Sequence, residues 1–197
     1  MSKKRKSNSG NPAKPRVPKT ELEPGDWWSW IRTEPTLDGK SWMITLEFDE
    51  DKALALAGST SVFGYVTSIM DACGRAEYDA AVYAQMVTLD KSEEAEQNAL
   101  HVVRDLRDDR PDLPALNGVF EVEPGVNGKR HPFLTLKWNG EGFAQWDTPD
   151  ARQHAMHVLM AFVNADHDAA YLRYLRGSIG LEEDVARGVV HRLREFR

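Results

Sequence analysis

The chain carries nearly the same segment twice, and this repetition restricts its fold more than any other feature. "RAEYDAA" begins at Arg75 and "NADHDAA" begins at Asn164, 89 positions later. Further matches occur in the same order at offsets between 87 and 90, which indicates an ancestral duplication. They pair Glu34–Pro35 with Glu123–Pro124, Asp38–Lys40 with Asn127–Lys129, Met43–Phe48 with Phe133–Trp138, and Val102–Arg107 with Val189–Arg194.

The sequence pattern of each half predicts three strands followed by three helices. Alternating apolar residues in "SWMITLEF" and "PFLTLKW" are typical of strands with one covered face. The first predicted helix of each half carries an apolar stripe at helical spacing. The stripe consists of Val62, Val66, Ile69, Met70 and Cys73, and then of Ala151, Ala155, Val158, Leu159 and Phe162. We expect an α+β fold, an internally duplicated three-strand/three-helix unit with antiparallel sheets covered by helices about a pseudo-twofold axis.

These patterns divide the chain into four segments. We expect a disordered basic arm at residues 1–22, a first repeat at 23–110, a linker at 111–117 and a second repeat at 118–197. The linker contains Pro111 and Pro114, which end the preceding helix. Because the linker is short, the two repeats should pack against each other.

Charge is distributed unevenly along the chain. Residues 1–20 contain seven of the 25 lysines and arginines and no acid. The remaining 18 basic residues face all 31 acidic ones, so the rest of the chain has a net charge of −13. The arm therefore predicts phosphate contacts with a nucleic acid. Its cations are Lys3, Lys4, Arg5, Lys6, Lys14, Arg16 and Lys19.

Several classes of protein are disfavoured by the composition. No apolar run approaches the roughly 20 residues that span a bilayer, and no apolar stretch follows the N-terminal charges as in a secretory signal. The single cysteine, Cys73, falls at an apolar helix position and predicts a buried, unreactive thiol. We expect no membrane association, no cofactor and a cytoplasmic location, with a virion as the alternative.

The repeated aspartates Asp79 and Asp168 allow two interpretations. As paired carboxylates, one from each half, they would share a proton or hold a cation at the junction of the repeats. As structural residues, they would pair with the repeated arginines Arg107 and Arg194 of the last helices and position them. A duplication preserves packing in both halves, whereas an active site usually needs one copy, so we favour the structural interpretation.

The histidines provide weaker candidates. His154 and His157 are three residues apart on one predicted helix and could both bind one metal ion, but no third ligand occurs at a recognised spacing. We therefore predict no metal site.

Three tryptophans, Trp27, Trp28 and Trp30, cluster at the first predicted strand. Alternation places Trp28 and Trp30 on one face and Trp27 on the other, and two of the three should fill the core. An exposed one would anchor a partner, because aromatic residues dominate binding hot spots.

The segments "LRDDRPDLP", "GFAQWDTPDARQHAMHVL" and "ADHDAAYLRYLRGSIGL" resemble parts of uncharacterised proteins carried by actinobacterial phages and prophages. The resemblance covers most of residues 43–197. It implies a phage or mobile-element setting and a cytoplasmic site of action, and it carries over no functional residues.

Three functions follow as expectations. The first is a non-enzymatic interaction protein, a phage accessory factor that binds a host or phage protein and attracts a basic partner to its acidic body. The second is association with nucleic acid, or with a virion, through the basic arm. The third is an enzyme with a carboxylate site at the junction of the repeats.

Overall fold

The computed structural model describes residues 29–35, 42–89 and 92–194, and it confirms the α+β class. Two antiparallel three-stranded sheets are each followed by helices. The first half contains β1 (Trp30–Pro35), β2 (Trp42–Asp49), β3 (Lys52–Ala57), α1 (Gly58–Leu89) and α2 (Glu93–Asp108). The second half contains β4 (Phe120–Val126), β5 (Pro132–Trp138), β6 (Glu141–Asp147), α3 (Thr148–Gly177) and α4 (Glu183–Arg194).

Each half contains two helices in its described residues, where the sequence predicts three. The first two predicted helices of each half are one continuous helix of 32 residues in α1 and 30 in α3. No proline interrupts either helix after its first turn, and the buried stripe of α1 continues through Ala72, Ala76 and Tyr83 without changing phase. Gly74 lies on the exposed face of α1, where its lower helix propensity costs little more than about 1 kcal/mol.

The strands of the two halves pair in nearly the same register. Leu46 pairs with Leu54 in the first sheet, and Leu136 pairs with Ala144 in the second, 90 residues later. The first strands correspond at an offset of 91, because Ile31 pairs with Leu46 as Val122 does with Leu136. This structural offset of 91 is two residues larger than the offset of 89 at which Glu34–Pro35 match Glu123–Pro124 in the sequence. The difference preserves which side chains face the core, since strand side chains alternate with a period of two.

The long helices pack across the two halves. α1 contacts β4 and β5 of the second half as well as its own sheet, and α3 contacts β1 and β2 of the first half. One main core therefore contains buried residues of both halves, among them Leu46, Tyr65, Leu136 and Val158. The linker is held to α1 and to β3, since Arg75 donates to the Pro111 carbonyl and Asn117 donates to the Ala55 carbonyl.

Two smaller cores lie under the last helices. Ala99 and Val103 of α2 pack on the C-terminal part of α1, and Ala186 and Val190 of α4 pack beside Leu172 of α3. Ser92 caps α2 by accepting a hydrogen bond from the Ala95 amide. The last helix of each half is thus attached to the free end of its own long helix, outside the main core.

Candidate functional site

The repeated aspartates lie in buried ion pairs in both halves. Arg194 Nε lies 2.7 Å from Asp168 Oδ2, the contact that the structural interpretation predicts. The predicted pair of Asp79 with Arg107 is wrong: Asp79 Oδ1 lies 2.7 Å from Arg110 Nη2. α2 ends at Asp108, and the turn after it brings Arg110 back onto α1, whereas Arg107 points toward Glu123, 3.8 Å away.

Asp79 and Asp168 do not meet at the junction of the repeats. The long helices run antiparallel, since the start of α3 at Thr148 contacts Cys73 while Phe162 contacts Phe63. Asp79 follows Cys73 on α1, and Asp168 follows Phe162 on α3. The two aspartates therefore lie toward opposite ends of the helix pair. With about 1.5 Å of rise per helical residue, the two carboxylates are roughly 30 Å apart. A shared carboxylate site therefore does not form, and among the described residues no cluster of three potential ligands suits a metal ion.

A buried polar cluster occupies the junction of the repeats instead. Tyr65 and His154 are 89 residues apart, at equivalent positions of α1 and α3, and Tyr65 Oη and His154 Nε2 share a hydrogen bond of 2.8 Å. Ser29 Oγ lies 3.3 Å from His154 Nδ1. The His154 ring also packs 4.6 Å from that of Trp146. Both imidazole nitrogens of His154 thus have partners.

The same cluster is poorly suited to acid–base chemistry. Burial, together with an electrostatic contribution from His157, lowers the pKa of His154 to about 4, and burial raises the pKa of Tyr65 well above its usual range. His154 is therefore neutral near pH 7 and a weak base. In a hydrolase triad a carboxylate orients the histidine, whereas here Tyr65 occupies that place. The cluster acts as a polar contact between the two halves.

A second contact between the long helices involves charge. Arg152 of α3 donates two hydrogen bonds to the Glu77 carboxylate of α1. The Arg152 guanidinium lowers the pKa of Glu77. Nearby, burial raises the pKa of the Cys73 thiol to about 11, so Cys73 is protonated near pH 7, as the sequence predicts for an unreactive thiol.

The most unusual surface lies along α3. Met156, Met160 and Val163 follow each other at helical spacing and are 46%, 58% and 44% exposed. His167 is exposed one turn further on, and the exposed side chains of Tyr171 and Tyr174 continue the row. We call these six residues the α3 stripe. It is separate from the buried stripe of the same helix, so α3 is apolar on two sides.

The duplication supplies an internal comparison for the α3 stripe. Positions 89 residues earlier on α1 occupy the equivalent face and are exposed as well, except Val82, which is half-buried. The first four positions are exposed on both helices, yet at the first three of them only α3 carries large apolar side chains. The residues of α1 that correspond to Met156, Met160 and Val163 are Thr67, Asp71 and Gly74.

The predicted tryptophan anchors fall partly within the described residues. Trp30 is 78% exposed on the edge strand β1, so it is not one of the tryptophans that fill the core. β1 begins beside α3, because Ser29 contacts His154. Trp27 and Trp28 lie outside the described residues, as do the seven cations of the arm.

A cavity of about 360 Å³ lies at the linker. Its charges are balanced and several are paired: Lys137 and Arg107 both contact Glu123, and Arg110 contacts Asp79 outside the lining. The cavity lining contains four cations and four carboxylates. They are Arg75, Arg107, Arg110 and Lys137, with Asp108, Asp112, Glu121 and Glu123. Such a lining attracts neither sign of ligand strongly.

Within the described residues, no helix combines the length and apolar character needed to cross a membrane. Comparison with known proteins adds no functional residues to this description. No protein-family model matches the chain, and neither a curated protein nor a solved structure matches it.

Proposed function

We propose that this protein is a non-enzymatic interaction factor whose partner protein binds along the α3 stripe. The observation that supports the proposal is the difference between two equivalent exposed faces. α1 has threonine, aspartate and glycine where α3 has Met156, Met160 and Val163. Exposed apolar rows of this kind mark interaction surfaces.

The geometry of the α3 stripe suits a helical or grooved partner. Anchors that recur at three- and four-residue spacing are the pattern by which a helix binds an apolar groove. From Met156 to Tyr174 the stripe spans 19 residues, and the 18 steps between them correspond to about 27 Å of helix. Methionine side chains adapt to irregular partner surfaces, and tyrosines add large contact area with a polar tip.

The charge of the chain points to the chemistry of the partner. Outside residues 1–20 the net charge is −13, which speeds the encounter with a basic protein. We therefore propose a partner that presents an apolar surface within a basic environment. In the phage setting that the sequence resemblance implies, this partner is a host or phage protein.

The duplication also provides the test. The double variant Met156→Thr/Met160→Asp gives α3 the residues that α1 already carries at the equivalent positions, so the fold should accept it. Loss of two apolar anchors is expected to weaken partner binding by at least about tenfold, which is 1.4 kcal/mol. The measurement is crosslinked capture from host cells, followed by calorimetry with the captured protein.

The matched control is Thr67→Asp, which places an acid at the equivalent exposed position of α1 and should leave binding unchanged. Recovery of the same proteins by wild type, double variant and control would contradict the proposal. Light scattering on the purified chain addresses the remaining alternative. A dimer that the double variant dissociates would show that the surface binds a second copy instead of a foreign protein.

A second candidate is association with nucleic acid through the arm, and the charge asymmetry favours it. If all seven cations contact phosphates, the logarithm of the association constant should fall with the logarithm of salt concentration at a slope of about −6. Deleting residues 1–20 should remove this binding and its salt dependence. Fluorescence anisotropy with a labelled duplex measures both, and unchanged affinity of the deleted chain would rule out the arm.

A further inference from the structure

The last helix of each half carries a second apolar row beside the residues that it buries. Val102 and Leu106 form the α2 row, and Val189 and Leu193 form the α4 row, at equivalent positions 87 residues apart. Their side chains are 37%, 36%, 36% and 39% exposed, so both halves leave the row uncovered to the same degree. The methionines of the α3 stripe have no apolar counterpart on α1, whereas this row occurs in both halves.

The two helices that carry these rows are opposite in net charge. α2 contains five acidic and two basic residues, a net charge of −3, and α4 contains two acidic and three basic residues, a net charge of +1. The contrast is also present beside the rows. Asp105 lies one turn after Val102 on α2, and the equivalent residue one turn after Val189 on α4 is Arg192. Both charged side chains are exposed, and neither has an ion-pair partner among the described residues.

These charges favour contact between α2 of one copy and α4 of another. When the two helices pack antiparallel with their rows facing, Asp105 of one copy lies on the same side of the contact as Arg192 of the other. Pairing α2 with α2 would place two aspartates there, and pairing α4 with α4 would place two arginines. Flanking charges of this kind determine which helices pair, because like charges oppose the wrong combinations.

The fold keeps the two helices of one chain apart. α2 packs on the C-terminal part of α1, and α4 packs on that of α3. The long helices run antiparallel, so these parts point in opposite directions. A contact between the α2 row and the α4 row therefore needs separate copies. Because every copy presents one row of each kind, the contact is head-to-tail and either continues into open chains or closes into a ring.

We propose that this protein assembles with itself head to tail, through the α2 row of one copy and the α4 row of the next. Burial of the apolar rows stabilises the contact, and the pair of Asp105 with Arg192 determines which helices meet. α4 has 12 residues, about 18 Å of helix, so the interface is small and assembly depends on protein concentration. The contact uses no residue of the α3 stripe, and it goes beyond the partner binding proposed there without depending on it.

Two variants that each block one row test the direction of assembly. Leu106→Asp places an acid in the α2 row, and Leu193→Asp places one in the α4 row. In sedimentation velocity on the full chain, up to about 1 mM, wild type should associate and each variant alone should stay monomeric. An equimolar mixture of the two variants should recover dimers, because the intact α4 row of one binds the intact α2 row of the other.

Three outcomes of this experiment would overturn the proposal. The first is a wild type that stays monomeric at every concentration. The second is association of either variant alone as strong as that of wild type, which would mean that one row is enough. The third is a mixture that stays monomeric although both variants show the helical circular dichroism of wild type.

Charge reversal gives a second test at exposed positions, where the fold tolerates substitution. Asp105→Arg and Arg192→Asp should each weaken self-association by about fivefold, because each places like charges side by side, and the double variant should restore it. Arg104→Asp is the matched control. It makes the same change in charge as Arg192→Asp, on the side of α2 away from the row, and should associate as wild type does. A double variant weaker than both single variants would contradict the pairing.

The α3 stripe has its own control in the same measurement. Met156→Thr/Met160→Asp should assemble as wild type does, whatever its effect on a foreign partner. If this variant is monomeric while Asp105→Arg assembles as wild type does, self-association belongs to the α3 stripe and the head-to-tail contact is ruled out.

Discussion

Acidification from pH 6.5 to pH 4 is expected to lower the free energy of unfolding by up to about 3 kcal/mol through His154 alone. The pKa of His154 is about 4 in the folded protein because the ring is buried, and it returns to about 6.5 when the chain unfolds. Between these values the unfolded chain binds more protons. Stability is therefore complete above pH 6.5, falls as the pH is lowered, and loses the whole contribution below pH 4.

Urea unfolding at several pH values measures this effect, with His154→Gln as the comparison. The glutamine amide can still bond to Tyr65 but does not titrate, so the variant should show a shallower loss of stability between pH 6.5 and 4. The baseline stability of the variant does not matter, because the difference in slope is the result. A control, His101→Gln at an exposed position of α2, should keep the wild-type slope. Parallel curves for wild type and His154→Gln would contradict the assignment.

Replacing Asp168 by asparagine is expected to destabilise the protein by about 2–3 kcal/mol. The change leaves the Arg194 guanidinium without the carboxylate that lies 2.7 Å from its Nε. Arg194 is about one-third exposed, so water screens part of the loss and the value lies below that of a fully buried pair. Asp79→Asn should have a similar effect through Arg110 if the duplication preserved one packing role.

Thermal or urea unfolding of Asp168→Asn, Arg194→Gln and the double variant gives the coupling energy of the pair. The double variant should cost less than the sum of the two single changes. Asp166→Asn, an exposed change on the same helix, is the control and should fall within about 0.5 kcal/mol of wild type. Wild-type stability of Asp168→Asn would favour a functional carboxylate, because functional residues are often kept at the expense of stability.

Local patterns in the sequence predicted the elements that depend on near neighbours. Alternation in "SWMITLEF" and "PFLTLKW" predicted β2 and β5, since a strand exposes every second side chain to the same side. An Asn-Gly pair is a strong reversal signal, and at Asn139–Gly140, between β5 and β6, both residues have positive φ, 53° and 81°. Helical spacing identified Val62 and Val158 as core residues, and both are buried.

The two predictions that failed concern where a helix ends and what it reaches afterwards. The continuity of α1 through Gly74 was missed because local sequence marks a weak helix position, while packing against α3 and the second sheet stabilises the helix across it. The partner of Asp79 was missed because the turn after α2 decides which arginine reaches α1. Arg107 and Arg110 differ by three residues, and the sequence does not show the direction of that turn.

The sequence by itself determined the duplication, the α+β class, the strands and the buried face of each long helix, because these follow from short-range periodicity and turn chemistry. Only the tertiary structure decided that the long helices cross between the halves, that Tyr65 meets His154, and that Met156 and Met160 remain exposed. Helical periodicity predicted the buried stripe of α3, but only the packing of the whole chain decides whether the second apolar row of this helix is covered as well. That choice depends on contacts between residues about 90 positions apart, whose geometry is set by the packing of the whole core.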